Sequence, residues 1–211
     1  MTQRKLLWSI PALLYLLFCF WYTDLSGRLT GAEVDKYVGI LEAEGGAPDR
    51  INDIRAFLEA DTGRQFIMVN LITMAQSPPP IAGAPENASA QDLLDVYMAH
   101  MYPELFKRAC HPVFLGDAVH GALDSVGLER PERWGRAALM RYRSRRDMIE
   151  IATNPAFRGR HEFKVAAFDR TLAFPVETVL YLSDPRVLLF VLLLAAVAVS
   201  DIALHGRRRQ R

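Results

Sequence analysis

Hydrophobic positions follow three regimes along the chain. They run unbroken near each end, and between the ends they recur at the period of strands or of helices. Leu6 to Tyr22 carries no charge and follows Arg4 and Lys5. Val187 to Ser200 is a second uncharged run after Arg186, extended past Asp201 by Ile202, Ala203 and Leu204. About 17 such residues are just enough to cross a bilayer, and neither run has a polar face to show to water. Transmembrane helices are therefore expected over 6–22 and 187–204, with Trp21 and Tyr22 in an interfacial belt. Phe20-Trp21-Tyr22-Thr23-Asp24 stands where a signal-peptide cleavage site would need small residues, which favours an uncleaved anchor.

The middle of the chain changes period repeatedly. Gln65 to Met74, Val113 to Leu115, Ala137 to Tyr142 and Thr171 to Val176 read as strands, the first rich in branched residues. Asp92 to Cys110 reads as a helix with Leu93, Val96, Tyr97, His100 and Met101 on one side. Ser144 and Asp147 form a capping signal for a helix through Met148, Ile149 and Ile151. Asn154-Pro155 restarts it, with Phe157, His161, Val165 and Phe168 as the expected apolar stripe. The order β-α-β-β-α-β over 64–177 predicts an α+β, ferredoxin-like domain. Its four-stranded sheet would carry helices on one face, so the bare face predicts a homodimer.

Upstream, Thr30 and Glu33 cap a helix through Leu41 with Val34, Tyr37 and Val38 inward. After Gly45-Gly46, Pro48 opens a second helix using Ile51, Ile54, Phe57 and Leu58. Residues 23–63 thus form a helical hairpin linker, 178–186 a short linker, and 1–5 and 205–211 basic ends. Residues 76–90, rich in Pro, Ala and Ser, predict a loose loop.

The strand FIMVNL, the helix YMAHMYPELFKRA and the junction RYRSRRDMIEIATNPAF together resemble the dimeric α/β-barrel superfamily. Its members include small monooxygenases, muconolactone-isomerase-like proteins and many uncharacterised domains. The resemblance covers roughly residues 64–177 and implies a fold and a dimer. It carries over no catalytic residue, because one fold hosts many activities.

Composition adds little to this picture. The chain has 211 residues, is 51% hydrophobic and has a formal net charge of +1, which gives no argument for a nucleic-acid partner. The charge that matters sits beside the spans. Arg4 and Lys5 at one end, and Arg207, Arg208, Arg209 and Arg211 at the other, predict both termini in the cytoplasm. The intervening domain of ~160 residues would then lie outside, in the periplasm of a Gram-negative cell. Of the two cysteines, Cys19 lies in a span and Cys110 in the domain, so no intrachain bridge is expected.

Candidate chemistry is sparse. His100 and Glu104 share a helix face near His111, a weak metal-site pattern short of the ligand count that a metal needs. His161 sits in the expected apolar stripe, as a core residue or as a base or haem ligand. Asn70, Arg141 and Arg143 are polar positions in otherwise apolar strands: either strand-end arginines reaching solvent and an Asn bonded to a neighbouring loop, or an amide and a guanidinium that orient a carbonyl or anionic small molecule. Arg145, Arg146, Arg158 and Arg160 read as a solvated basic face. No phosphate loop, nucleophile elbow or zinc ribbon is present, and no cofactor is expected. Three functions compete: a membrane-tethered, non-catalytic binding or interaction module; a cofactor-poor enzyme of monooxygenase or isomerase type with its pocket between sheet and helices; and, last, a haem or metal protein using His100, His111 or His161.

Overall fold

The computed structural model describes residues 2–127, 132–157 and 159–206. The chain is an α+β protein. In order, its elements are α1 (Gln3–Tyr22), α2 (Gly31–Ala43), α3 (Pro48–Glu59), β1 (Phe66–Met74), α4 (Ala90–Lys107), β2 (His111–Asp117), β3 (Arg136–Tyr142), α5 (Arg145–Ala152), α6 (His161–Ala167), β4 (Phe168–Val176) and α7 (Pro185–His205). Two compact units result, one of Met1–Leu25 with Thr178–Arg211, the other Ser26–Glu177.

In the first unit, α1 and α7 are both long and apolar enough to cross a membrane, and little of either is buried within the protein. They pair antiparallel. At one end Arg4 Nη2 donates to Asp201 Oδ2 at 2.7 Å. His205 Nδ1 lies 3.1 Å from the other Asp201 oxygen, out of hydrogen-bond alignment. Tyr15 meets Phe190 midway, with ring centroids 5.6 Å apart. At the far end Arg186 donates to Thr23 Oγ1 at 3.1 Å and lies over the Tyr22 ring. The arginine cluster 207–211, on which the expected orientation partly rests, lies outside the described residues.

The second unit is built on one antiparallel sheet in the order β2-β3-β1-β4. Capping sets the starts of α2 and α5 as the sequence predicts: Thr30 with Glu33 forms a reciprocal capping box, and Ser144 Oγ accepts from Asp147 N. A further reciprocal box, Ser89 with Asp92, opens α4. Helix α4 ends on Ala109 at φ 54°, where Cys110 N donates to Leu105 O and Ala109 N to Phe106 O. That is the hydrogen-bond pattern of a Schellman cap, here closed by alanine where glycine is usual.

Among the described residues, three apolar clusters form the core. Val34, Tyr37, Val38, Ile51 and Leu58 of the α2–α3 hairpin close on Ile149 of α5. Leu93 of α4 packs on Phe163, Ala166 and Ala167 of α6. Met101, Leu105, Cys110 and Ile151 pack beneath Met140 and Tyr142 of β3. The hairpin therefore extends the helical layer through α5.

Two expectations are corrected here. The stripe Phe157-His161-Val165-Phe168 does not form, because the segment after Asn154 is a single 3₁₀ turn and Gly159, at φ 74°, separates it from α6. The helix starts afresh at His161, so its buried positions are Phe163, Ala166 and Ala167, while Val165 is 61% exposed. The 76–90 segment is not loose, since Ile81, Ala84 and Ala88 pack against the α4–α6 cluster.

Candidate functional site

The polar residues singled out by the sequence are engaged separately. Asn70 donates its amide to Met68 O at 3.1 Å and to Ala138 O at 3.2 Å, bridging its own strand to β3. Arg143 holds Asp147 with both arms, at 2.7 and 2.8 Å, just past the end of β3. Asn70 pairs with Ala138, five positions before Arg143, which separates the two by roughly 17 Å along the sheet. They do not face one ligand. His161 is exposed at the first turn of α6, and its pKa is lowered by the surrounding protein and by the Lys164 and Arg50 cations.

His100 Nδ1 lies 2.8 Å from Val96 O, one turn back on its own helix. Glu104 is bonded by Arg108, which holds its carboxyl below the usual range. His111 turns Nδ1 toward Pro112 O at 3.0 Å. The three do not converge, and among the described residues no three His, Cys, Asp or Glu side chains are grouped as ligands of a metal ion. Cys110 is buried and free, and burial pushes its thiol up to about 12.

What the sequence reading missed is the work of the arginines. Arg145 and Arg146 are not a solvated face. Arg145 is buried: it donates to Phe57 O and to Glu177 Oε1 at 3.1 Å, lies over the Phe57 ring and faces Asp61 at 3.6 Å. Asp61 in turn accepts from Leu29 N and Gly63 N. Arg146 donates to Glu33 Oε1 at 2.9 Å and to the carbonyls of Gly27 and Arg28. That contact and the Thr30 backbone N–H bring the Glu33 carboxyl down to about 2. Arg141 is 1% exposed and donates to Ala109 O and Gln65 Oε1. These guanidiniums tie the β3–α5 junction to α2, α3, the α4 cap and the end of β4. Their forked donors suit that job, and it leaves them occupied. Arg158 lies outside the described residues.

The surface that stands out is the second face of the sheet. Paired residues of antiparallel strands point to the same side. The register Phe114–Leu139–Val69–Phe174 therefore makes an apolar row across all four strands. The next row is Gly116–Ala137–Leu71–Leu172. The Phe114 ring lies over Gly116, 2.8 Å from where a Cβ would stand. The opposite face carries Phe66, Met140 and Tyr142, which sit under the helices. On the open face Phe114, Leu172 and Phe174 remain 53%, 48% and 41% exposed.

No protein-family model matches the chain, and no curated protein matches it. Among solved structures it is similar to the RPA0582 protein of Rhodopseudomonas palustris, a protein of unknown function. The two share 16% identity with a TM-score of 0.51, over 64% of this chain and 95% of that one. The methylated RPA0582 protein gives 17% identity and the same TM-score, over 65% and 95%. At such identities the likeness concerns the fold alone, and it brings no activity with it.

Proposed function

We propose that this protein is a membrane-anchored, homodimeric domain of the ferredoxin-like, dimeric α/β-barrel kind that serves as a non-catalytic binding or interaction module. The strand order β2-β3-β1-β4, with helical connections after β1 and β3, supports the ferredoxin-like reading. In this reading residues 64–177 are the barrel-forming domain, 23–63 its helical hairpin, and 6–22 and 187–204 the two spans. Retention of the first span is supported by its specific partners in the second, Asp201 for Arg4 and Arg186 for Thr23. Both termini would be cytoplasmic and the domain extracytoplasmic, following the basic residues beside the spans.

The observation that carries the proposal is the apolar row Phe114–Leu139–Val69–Phe174, whose two end residues are 53% and 41% exposed. Two copies pairing face to face would bury it, as sheet faces do in isologous dimers. Cross-linking in native membranes tests this. In a Cys19→Ser background, Phe174→Cys treated with a short bifunctional thiol reagent is expected to give a dimer band. Ala99→Cys, exposed on α4, is expected to give none. Equal cross-linking at both positions, or none at Phe174, would remove the basis for the proposal.

A further inference from the structure

The first unit carries, beside its two helices, a short non-helical stretch with an unusual surface. Val179, Leu180 and Leu182 are 103%, 76% and 78% exposed, and Leu25, at the other boundary of the unit, is 69% exposed. In a water-soluble linker such residues cost solubility and gain nothing. Their position along the chain suggests what covers them. Helix α7 has 21 residues, about 31 Å at 1.5 Å each, which matches the ~30 Å hydrocarbon core of a bilayer. The residues just before Pro185 then fall in the headgroup layer, roughly 5–7 Å deep on each side.

The local structure fits that depth. Asp184 accepts from Arg186 N at 2.9 Å and from the Arg186 guanidinium at 2.6 Å, so the charges at the helix start neutralise one another. Arg186 lies over the Tyr22 ring, whose neighbour Trp21 is 44% exposed, and aromatic rings at that level suit the interface. The chain turns at Leu182–Ser183, where Asp184 N donates to Tyr181 O at 3.3 Å, just before α7 begins. We infer that Val179, Leu180 and Leu182, with Leu25, form a collar that lies in the lipid headgroup layer around the start of α7. Its partner is the bilayer surface itself, and it would hold the chain's exit from the membrane flat against the lipid.

The inference rests on α7 crossing the bilayer, and one experiment separates the two. The full chain, with Cys19→Ser, is reconstituted in phosphatidylcholine nanodiscs with an environment-sensitive fluorophore at Leu180→Cys, Leu182→Cys or, in the middle of α7, Leu192→Cys. Nitroxides carried at the headgroup, on the deep acyl chain or free in water serve as quenchers. The expected result is strong quenching of Leu180→Cys and Leu182→Cys by the headgroup nitroxide and of Leu192→Cys by the deep one. Quenching of both collar positions by the aqueous nitroxide alone, with Leu192→Cys still reached by the deep one, would overturn the collar and leave the span intact. Absence of lipid quenching at Leu192→Cys would overturn both.

Discussion

The two faces of the sheet are made by the same four strands and differ by a one-residue step along each. Phe66, Met140 and Tyr142 point one way and are sealed by helices, with Phe66 stacked on Tyr142 at 5.3 Å and edge-on to Phe57 at 5.5 Å. Val69, Leu139 and Phe174 point the other way, equally apolar; Val69 and Leu139 are half-buried and Phe174 is 41% exposed. Apolar residues on both sides of a strand belong to sheets buried on both sides, whereas a one-sided antiparallel sheet alternates with polar residues. The difference teaches that this sequence specifies two burial events. Folding accomplishes one, and the proposed pairing of chains accomplishes the other.

Breaking the covered face should be the costliest change. Phe66→Ala removes a side chain that is 1% exposed and two ring contacts, and is expected to destabilise the domain by about 4 kcal/mol in denaturant titration. Phe174→Ala, on the open face, should cost the isolated fold under ~1 kcal/mol while weakening association. If the two substitutions cost the same, the contrast between the faces fails.

Next comes the arginine hub that braces the covered side. Arg145→Ala leaves Asp61, with a side chain 2% exposed, without its cation, and a loss of about 3 kcal/mol is expected. A smaller effect of opposite sign belongs to the α4 cap. Ala109→Gly relieves a left-handed alanine and should raise stability by up to ~1 kcal/mol, read as a higher denaturation midpoint.

The smallest effect is acidic. Glu33 is lowered from an ordinary 4.5 to about 2 in the fold. Its contribution is therefore fully present above about pH 4.5 and is lost as pH falls toward 2. Since Glu33 is about one-third exposed, solvent screens most of the gain, and only a slight steepening of the acid limb of the melting temperature is expected. Glu33→Gln should flatten that limb. An unchanged acid limb would mean the pair with Arg146 contributes nothing.

Much of this architecture was legible in the residues. Capping residues marked α2 and α5 because an N-cap bond is local, the apolar period marked α4, and uncharged runs marked α1 and α7 because a missing polar face needs no partner to be seen. The face of α6 was not legible. One glycine at φ 74° reset its register, and the turn before it mimics a helix start. The hub was missed for a different reason. Arg145 and Arg146 look like any exposed pair until α3 and Glu33 are brought to them from about 90 and 110 residues away, a distance along the chain that no local pattern reports. Asn70, His100 and Arg143 were visible as polar positions, but their engagement by nearby backbone or by Asp147 is a property of the fold.

Sedimentation velocity of the full chain in density-matched detergent, compared with Phe174→Arg, tests the central claim most directly. A charge placed at the β4 end of the apolar row cannot be buried against a second copy without a partner. The account predicts that the native chain sediments with twice the protein mass of one 23.8 kDa copy and that the variant sediments as a folded single copy. A native monomer at micromolar concentration, or a Phe174→Arg variant that stays dimeric, would contradict it.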